Sequence, residues 1–116
     1  MDQSNALKLY EKGIATYNTW YKLLYHTQIT EDALNLFKQA KNQFLMDQYF
    51  DNAKECYDWM IKCIDSLGNN CYPYDKIKIY EEYADFLTDK NIDNDNAMVL
   101  YNKIIQLCID DDNFNK

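Results

Sequence analysis

Arginine is absent from the 116 residues, glycine occurs twice and proline once. So few breakers, with few β-branched runs, exclude a β-sandwich and favour long helices. No apolar run approaches the ~18–20 residues of a membrane span. The opening "MDQSNALKLYEKG" lacks the positive region and apolar stretch of a signal peptide, so a cytoplasmic location is expected. Basic charge is also scarce. The formal charge is −7, and it is uneven: residues 1–64 hold seven Lys against eight acids, residues 65–116 five against eleven. Nucleic-acid binding needs a basic face that releases counterions, and this acidic chain is expected to bind none. An AT-rich genome would also write few Arg and many Asn, Lys, Tyr and Ile, so part of the composition carries no function.

Other absences bound the chemistry. The cysteines Cys56, Cys63, Cys71 and Cys108 form no CxxC pair, and the lone His26 is distant from them in sequence. Zinc sites show paired ligands at short spacing, so no metal is expected and the thiols read as reduced, buried cysteines. "DKNIDN" places Asp89, Asn91 and Asp93 at alternating positions. Asn94 and Leu100, however, stand where a calcium loop needs Gly and Glu, which leaves a solvated turn capping the last helix. There is no Gly-rich phosphate loop, GxSxG or HExxH, so no cofactor and no enzymatic activity are expected. Glu81 and Glu82 are adjacent, and such neighbours on a helix do not face each other. Asp110, Asp111 and Asp112 form an acidic end.

Five helices can be read from what is present, in a chain long enough for one domain, 1–116. Leu7, Tyr10, Ile14, Tyr17, Tyr21 and Leu24 recur at helical spacing and form the first stripe. The second helix is predicted to start at an N-cap, Thr30, followed by Glu31 and Asp32. Its stripe is Ala33, Leu36, Phe37, Ala40 and Phe44. The third carries Tyr49, Ala53, Cys56, Tyr57, Met60, Ile61, Ile64 and Leu67. Gly68 is a natural C-terminal stop, and Pro73 fits the first turn of the next helix. The fourth has Ile77, Tyr80, Tyr83, Ala84 and Leu87; the fifth has Ala97, Leu100, Tyr101, Ile104, Ile105 and Cys108.

An internal repeat organises them. "DNAKECYDWMIKCI" from Asp51 and "DNAMVLYNKIIQLC" from Asp95 align at an offset of 44 residues, with Asp, Asn, Ala and Tyr identical. Extended backwards, that register pairs Ala40 with Ala84 and Leu36 with Tyr80. Helices two and three then form one hairpin, four and five the next. Ala-x-x-x-aromatic pairs recur at Ala33–Phe37, Ala53–Tyr57 and Ala97–Tyr101. A small residue lets helices approach, and the large ring one turn later fills the groove. Each hairpin can bury its face only against neighbours. The expected fold is all-α: a tetratricopeptide-like right-handed α-solenoid of about five antiparallel helices. A plain bundle is the alternative. The last apolar face has no following hairpin, which predicts either self-association as a homo-oligomer or a further C-terminal region.

The chain resembles the N-terminal part of the soluble NSF attachment proteins, the SNAP family. The resemblance lies in "EDALNLFKQAKNQFLMDQYFDNAKECY" from Glu31 and "YADFLTDKNIDNDNAMVLYNKIIQLCIDDDNFNK" from Tyr83. It implies a stack of long tetratricopeptide-like hairpins that binds assembled SNARE bundles in membrane traffic. The family's membrane-touching loop between helices one and two has its counterpart here in "TWYKLLYH", by position and character. Tyr21 and Leu24 continue the first stripe. Trp20, Leu23 and Tyr25 lie off it and are the candidate membrane or partner-binding residues, with packing on helix two or three as the alternative. Two departures stand out. The family's SNARE-contacting face is basic, whereas this chain grows more acidic, and the part that engages the ATPase is missing from these 116 residues. The other functional expectation is a generic scaffold that binds a peptide or helix.

Overall fold

A computed structural model describes residues 3–19 and 25–114, with side chains over 5–19 and 25–110. It is all-α: α1 (Gln3–Tyr17), α2 (His26–Met46), α3 (Phe50–Leu67), α4 (Pro73–Asp89) and α5 (Asn94–Phe114), with a short 3-10 turn over Gly68–Asn70. No strand occurs among the described residues. The chain forms two compact units, 1–70 and 71–116.

In the first unit α2 packs against both α1 and α3. His26 of α2 meets Ser66 of α3, and Lys41 lies over the ring of Tyr57 at 5.5 Å, so these helices run antiparallel. Tyr10 and Tyr17 of α1 reach Glu55 and Ser66 of α3, so α1 and α3 run parallel. Where the helices meet, Phe37 stacks on Trp59 (centroids 5.3 Å, planes 14° apart). Tyr10 presents an edge to Phe37, and Tyr17 an edge to Trp59. Trp59 Nε1 donates to Tyr10 Oη at 3.2 Å. Such ring pairs contribute about 0.5–1.5 kcal/mol each beyond the area they bury.

Gly13 is what brings α1 this close. A Cβ there would lie 2.8 Å from Cε1 of Phe37, a ring with no exposure to solvent. The buried line of α1 therefore runs through Ala6 and Gly13, and Leu7, expected in the core, is 40% exposed. Tyr10, Ile14 and Tyr17 are half-buried beside that line.

The predicted start of α2 is corrected. The helix begins at His26, one turn before Thr30, and Thr30 is fully buried inside it. Its hydroxyl makes no hydrogen bond, whereas an N-cap oxygen would accept one from a backbone N–H. The start is held by side chains instead. His26 Nε2 donates to the Ser66 carbonyl at 2.8 Å, and Asn70 Nδ2 donates to Thr27 Oγ1 at 3.3 Å. Gly68 ends α3 at φ 54°, where a side chain would be strained, and Pro73 opens α4, both as expected.

In the second unit α4 and α5 pack as an antiparallel hairpin: Asp85 meets Tyr101, and Lys103 lies over the Tyr80 ring at 5.7 Å. The two hairpins, α2–α3 and α4–α5, begin their turns identically. The amide of Tyr49 donates to the carbonyl of Phe44 at 2.9 Å and that of Gln48 to Leu45 at 3.1 Å. Ile92 to Leu87 and Asn91 to Thr88 repeat both bonds at the same lengths. Gln48 and Asn91 take the required left-handed backbone, at φ 64° and 54°. This is the helix-ending Schellman arrangement.

The repeat register needs a correction here. The two turns are related by 43 residues, whereas α3 and α5 begin 44 apart. Phe37, Ala40, Lys41 and Phe44 therefore correspond to Tyr80, Tyr83, Ala84 and Leu87, all buried. The expected pairing of Ala40 with Ala84 is off by one. The additional residue is Asp93, whose carboxylate accepts the Asn96 amide at 3.0 Å and caps α5. In the first hairpin Tyr49 both completes the turn and precedes α3, without a side-chain cap.

Candidate functional site

Of the three residues singled out at the α1–α2 connection, Trp20 and Leu23 lie outside the described residues, as do Tyr21 and Leu24. Tyr25 is described and is 62% exposed, immediately before α2. A groove of about 430 Å³ opens beside it between α1 and α2. Ala15 and Ile29 give it an apolar wall, and Lys12, Gln28 and Asp32 a polar one. Gln28 Nε2 donates to Asp32 Oδ1 at 2.9 Å, so part of that polar wall is already satisfied internally.

A second exposed surface lies on α5. Ala97 and Leu100 are buried against the hairpin, and Ile104 is half-buried. Met98, Ile105 and Ile109 are 59%, 57% and 48% exposed, and Val99 is exposed beside them. Spacings of seven and four residues put Met98, Ile105 and Ile109 on one face. Ile105 was expected on the inner stripe. It falls outside because the inner face of α5 runs through Ala97, Leu100 and Ile104, which leaves Ile105 about 100° away. Met98, Val99 and Ile109 carry no inward periodicity, and their signal in the sequence is that same apolar character one residue out of phase.

Charge frames this face. Asp95 in the first turn and Asp110 near the other end are exposed. Asp110 accepts Gln106 Nε2 at 2.9 Å. The helix's one lysine, Lys103, lies over Tyr80. The side chains of Asp111 and Asp112 fall outside the described set.

Burial pushes the Cys56 thiol up to about 12, with nearby Glu55 adding to the rise and Lys41 opposing it. Such a thiol is no nucleophile at neutral pH. None of the four cysteines forms a disulfide. Cys56, Cys63 and Cys71 are buried, but Cys108, expected on a buried face, is exposed. Among the described residues, α1 reaches α3 through Tyr10 and Tyr17, and α5 packs on α4. Tyr101 Oη donates to Asp85 Oδ1 at 2.6 Å, a bond that raises its pKa by holding the phenol protonated. This third aromatic of the Ala-x-x-x pattern is half-buried, whereas Phe37 and Tyr57 are buried. Among the described residues no three His, Cys, Asp or Glu side chains gather to hold a metal ion, and no helix is long and apolar enough to cross a membrane.

No family model matches the chain, and no curated protein or solved structure matches it.

Proposed function

We propose that the chain is a non-enzymatic protein-interaction adaptor, similar to a short SNAP-family protein and acting on SNARE complexes in membrane traffic. The observation that supports an adaptor is the exposed apolar row on α5, since rows of this kind rimmed by polar groups mark protein–protein surfaces. The SNARE partner rests on the resemblance of the hairpin sequences. Cytoplasmic location and peripheral membrane contact through Trp20, Leu23 and Tyr25 belong to the same reading, and the exposure of Tyr25 favours the contact. Capture of a preassembled SNARE bundle on the immobilised chain tests it: retention above a beads-only control supports the reading, and passage through the column refutes it. Flotation with liposomes tests the membrane part, with Trp20, Leu23 and Tyr25 changed to Ser. Wild-type chain that stays at the bottom of the gradient ends that part.

The acidic surroundings of the α5 row favour a second reading, a tetratricopeptide-like scaffold that binds a single helix or peptide. Residues 71–116 hold five Lys against ten acids, the opposite sign to the basic face by which the family contacts SNAREs.

A further inference from the structure

We propose that the exposed face of α5 is the docking surface for a cationic amphipathic helix. The proposal rests on the adaptor reading and names the chemistry of the partner. Met98, Ile105 and Ile109 span eleven residues, about 16 Å of helix, as one apolar row. Asp95 and Asp110 stand fifteen residues apart, about 22 Å, on the same flank of that row and at its two ends. Lys103, the one lysine of α5, stands on the same side as the two carboxylates but lies over the Tyr80 ring at 5.7 Å. A partner helix of similar length would lay its own apolar stripe along the row, and Lys or Arg at both ends would meet the two carboxylates.

Charge also decides against a second copy of this chain. An antiparallel pairing of two α5 rows brings Asp95 of one copy to the Asp110 end of the other. A parallel pairing sets the two acidic flanks on opposite sides of the seam and gives neither a cation. The first arrangement is repulsive, and the second leaves the carboxylates without a basic partner. An anionic helix meets the same obstacle.

The test is fluorescence anisotropy with the full chain and a labelled peptide of about 18 residues, a length that covers the row. Its leucines follow helical three- and four-residue spacing, and lysines stand at both ends. A matched peptide carries glutamate in place of lysine. The lysine peptide is expected to bind, and the glutamate peptide to fail. Ile105→Glu, a change at an exposed position checked by circular dichroism, should weaken binding at least about tenfold. Asp95→Asn with Asp110→Asn should weaken it several-fold and flatten its salt dependence. Absent binding, equal binding of both peptides, or an Ile105→Glu variant that binds as well as wild type would overturn the proposal. A dimer seen by sedimentation and abolished by Ile105→Glu would also overturn it, because the occupant would then be a second copy. Failure here with a SNARE bundle still captured leaves the adaptor reading standing, and the reverse result removes the SNARE partner alone.

Discussion

Helices α3 and α5 begin alike and end in different surroundings. Ala53 and Ala97 are buried at equivalent positions, as are Cys56 and Leu100. Beyond those, α3 is covered on two sides. α2 takes one face, and α1 reaches across with Tyr10 and Tyr17 to bond Glu55 and Ser66 and flank Trp59. On α5 the positions equivalent to Lys54, Glu55 and Asp65 are Met98, Val99 and Ile109, all exposed. The position equivalent to buried Ile64 is exposed Cys108. Charge has been exchanged for apolar surface on the outer half of the repeat, while the inner half kept its small-then-large pattern. The inner half specifies the hairpin; the outer half specifies what the hairpin meets.

The largest expected effect separates covered from uncovered surface. Phe37→Ala empties a site sealed by Gly13, Tyr10 and Trp59 and should cost about 3–5 kcal/mol in urea unfolding. Ile105→Ala should stay within about 0.5 kcal/mol. Similar losses for the two would erase the distinction. Next comes Gly13→Ala. The substitution gains about 1 kcal/mol of helix propensity, but its methyl collides with a ring pinned on Trp59, and overpacking of that kind costs about 1–3 kcal/mol. A net loss of about 1 kcal/mol is expected; a rise in Tm would show that α1 can retreat. Thr30→Val removes a buried hydroxyl without a partner and should stabilise by about 1 kcal/mol, where a loss would reveal a hidden bond.

The turns give a smaller contrast. Left-handed backbone costs an ordinary residue about 1–2 kcal/mol, and less for Asn, whose short amide bonds locally. Gln48→Gly should therefore stabilise by roughly 0.5–1 kcal/mol after the entropy of the freer unfolded chain is counted, and Asn91→Gly by close to zero. Equal responses would mean the two turns carry equal strain. Thiol labelling reads the comparison at no cost in stability. At neutral pH Cys108 should react alone, with all four thiols reacting in denaturant; rapid modification of a second native thiol would contradict the burial of Cys56, Cys63 and Cys71. The raised Cys56 thiol also gives stability a pH dependence. Between 9.0 and about 12 the unfolded chain releases that proton while the folded chain retains it, so stability falls as pH rises through this window.

Much of the hairpin architecture was legible in the sequence, and for local reasons. Gly68 and Pro73 punctuate because their backbones allow little else, and the Ala-x-x-x-aromatic pairs report close helix approach directly. The start of α2 was illegible because Tyr25 offers no capping oxygen to a backbone amide, whereas Thr30, a residue type that often caps, lies one turn inside the helix. The register of α2 against α4 was misread because the identities lie in α3 and α5, and an unbroken offset carried past Asp93 hides a one-residue insertion. Gly13 looked like scarcity when it is a contact, since no periodicity marks a position whose value is an absent side chain. The α5 face was foreseen as open, but its residues were placed one step out of phase at Ile105. Of the aromatic candidates near the first connection, Tyr25 is exposed.

The single residue Asp93 has a consequence for how such hairpins diversify. Tyr49 must satisfy two helices at once, so any change there disturbs the end of α2 and the beginning of α3 together. In the second hairpin Ile92 finishes one helix and Asp93 starts the next, and the two duties are uncoupled. A connector that can gain a residue without breaking its closing bonds lets the end of one helix and the start of the next change separately, while Ala97 and Leu100 keep the inward places of Ala53 and Cys56.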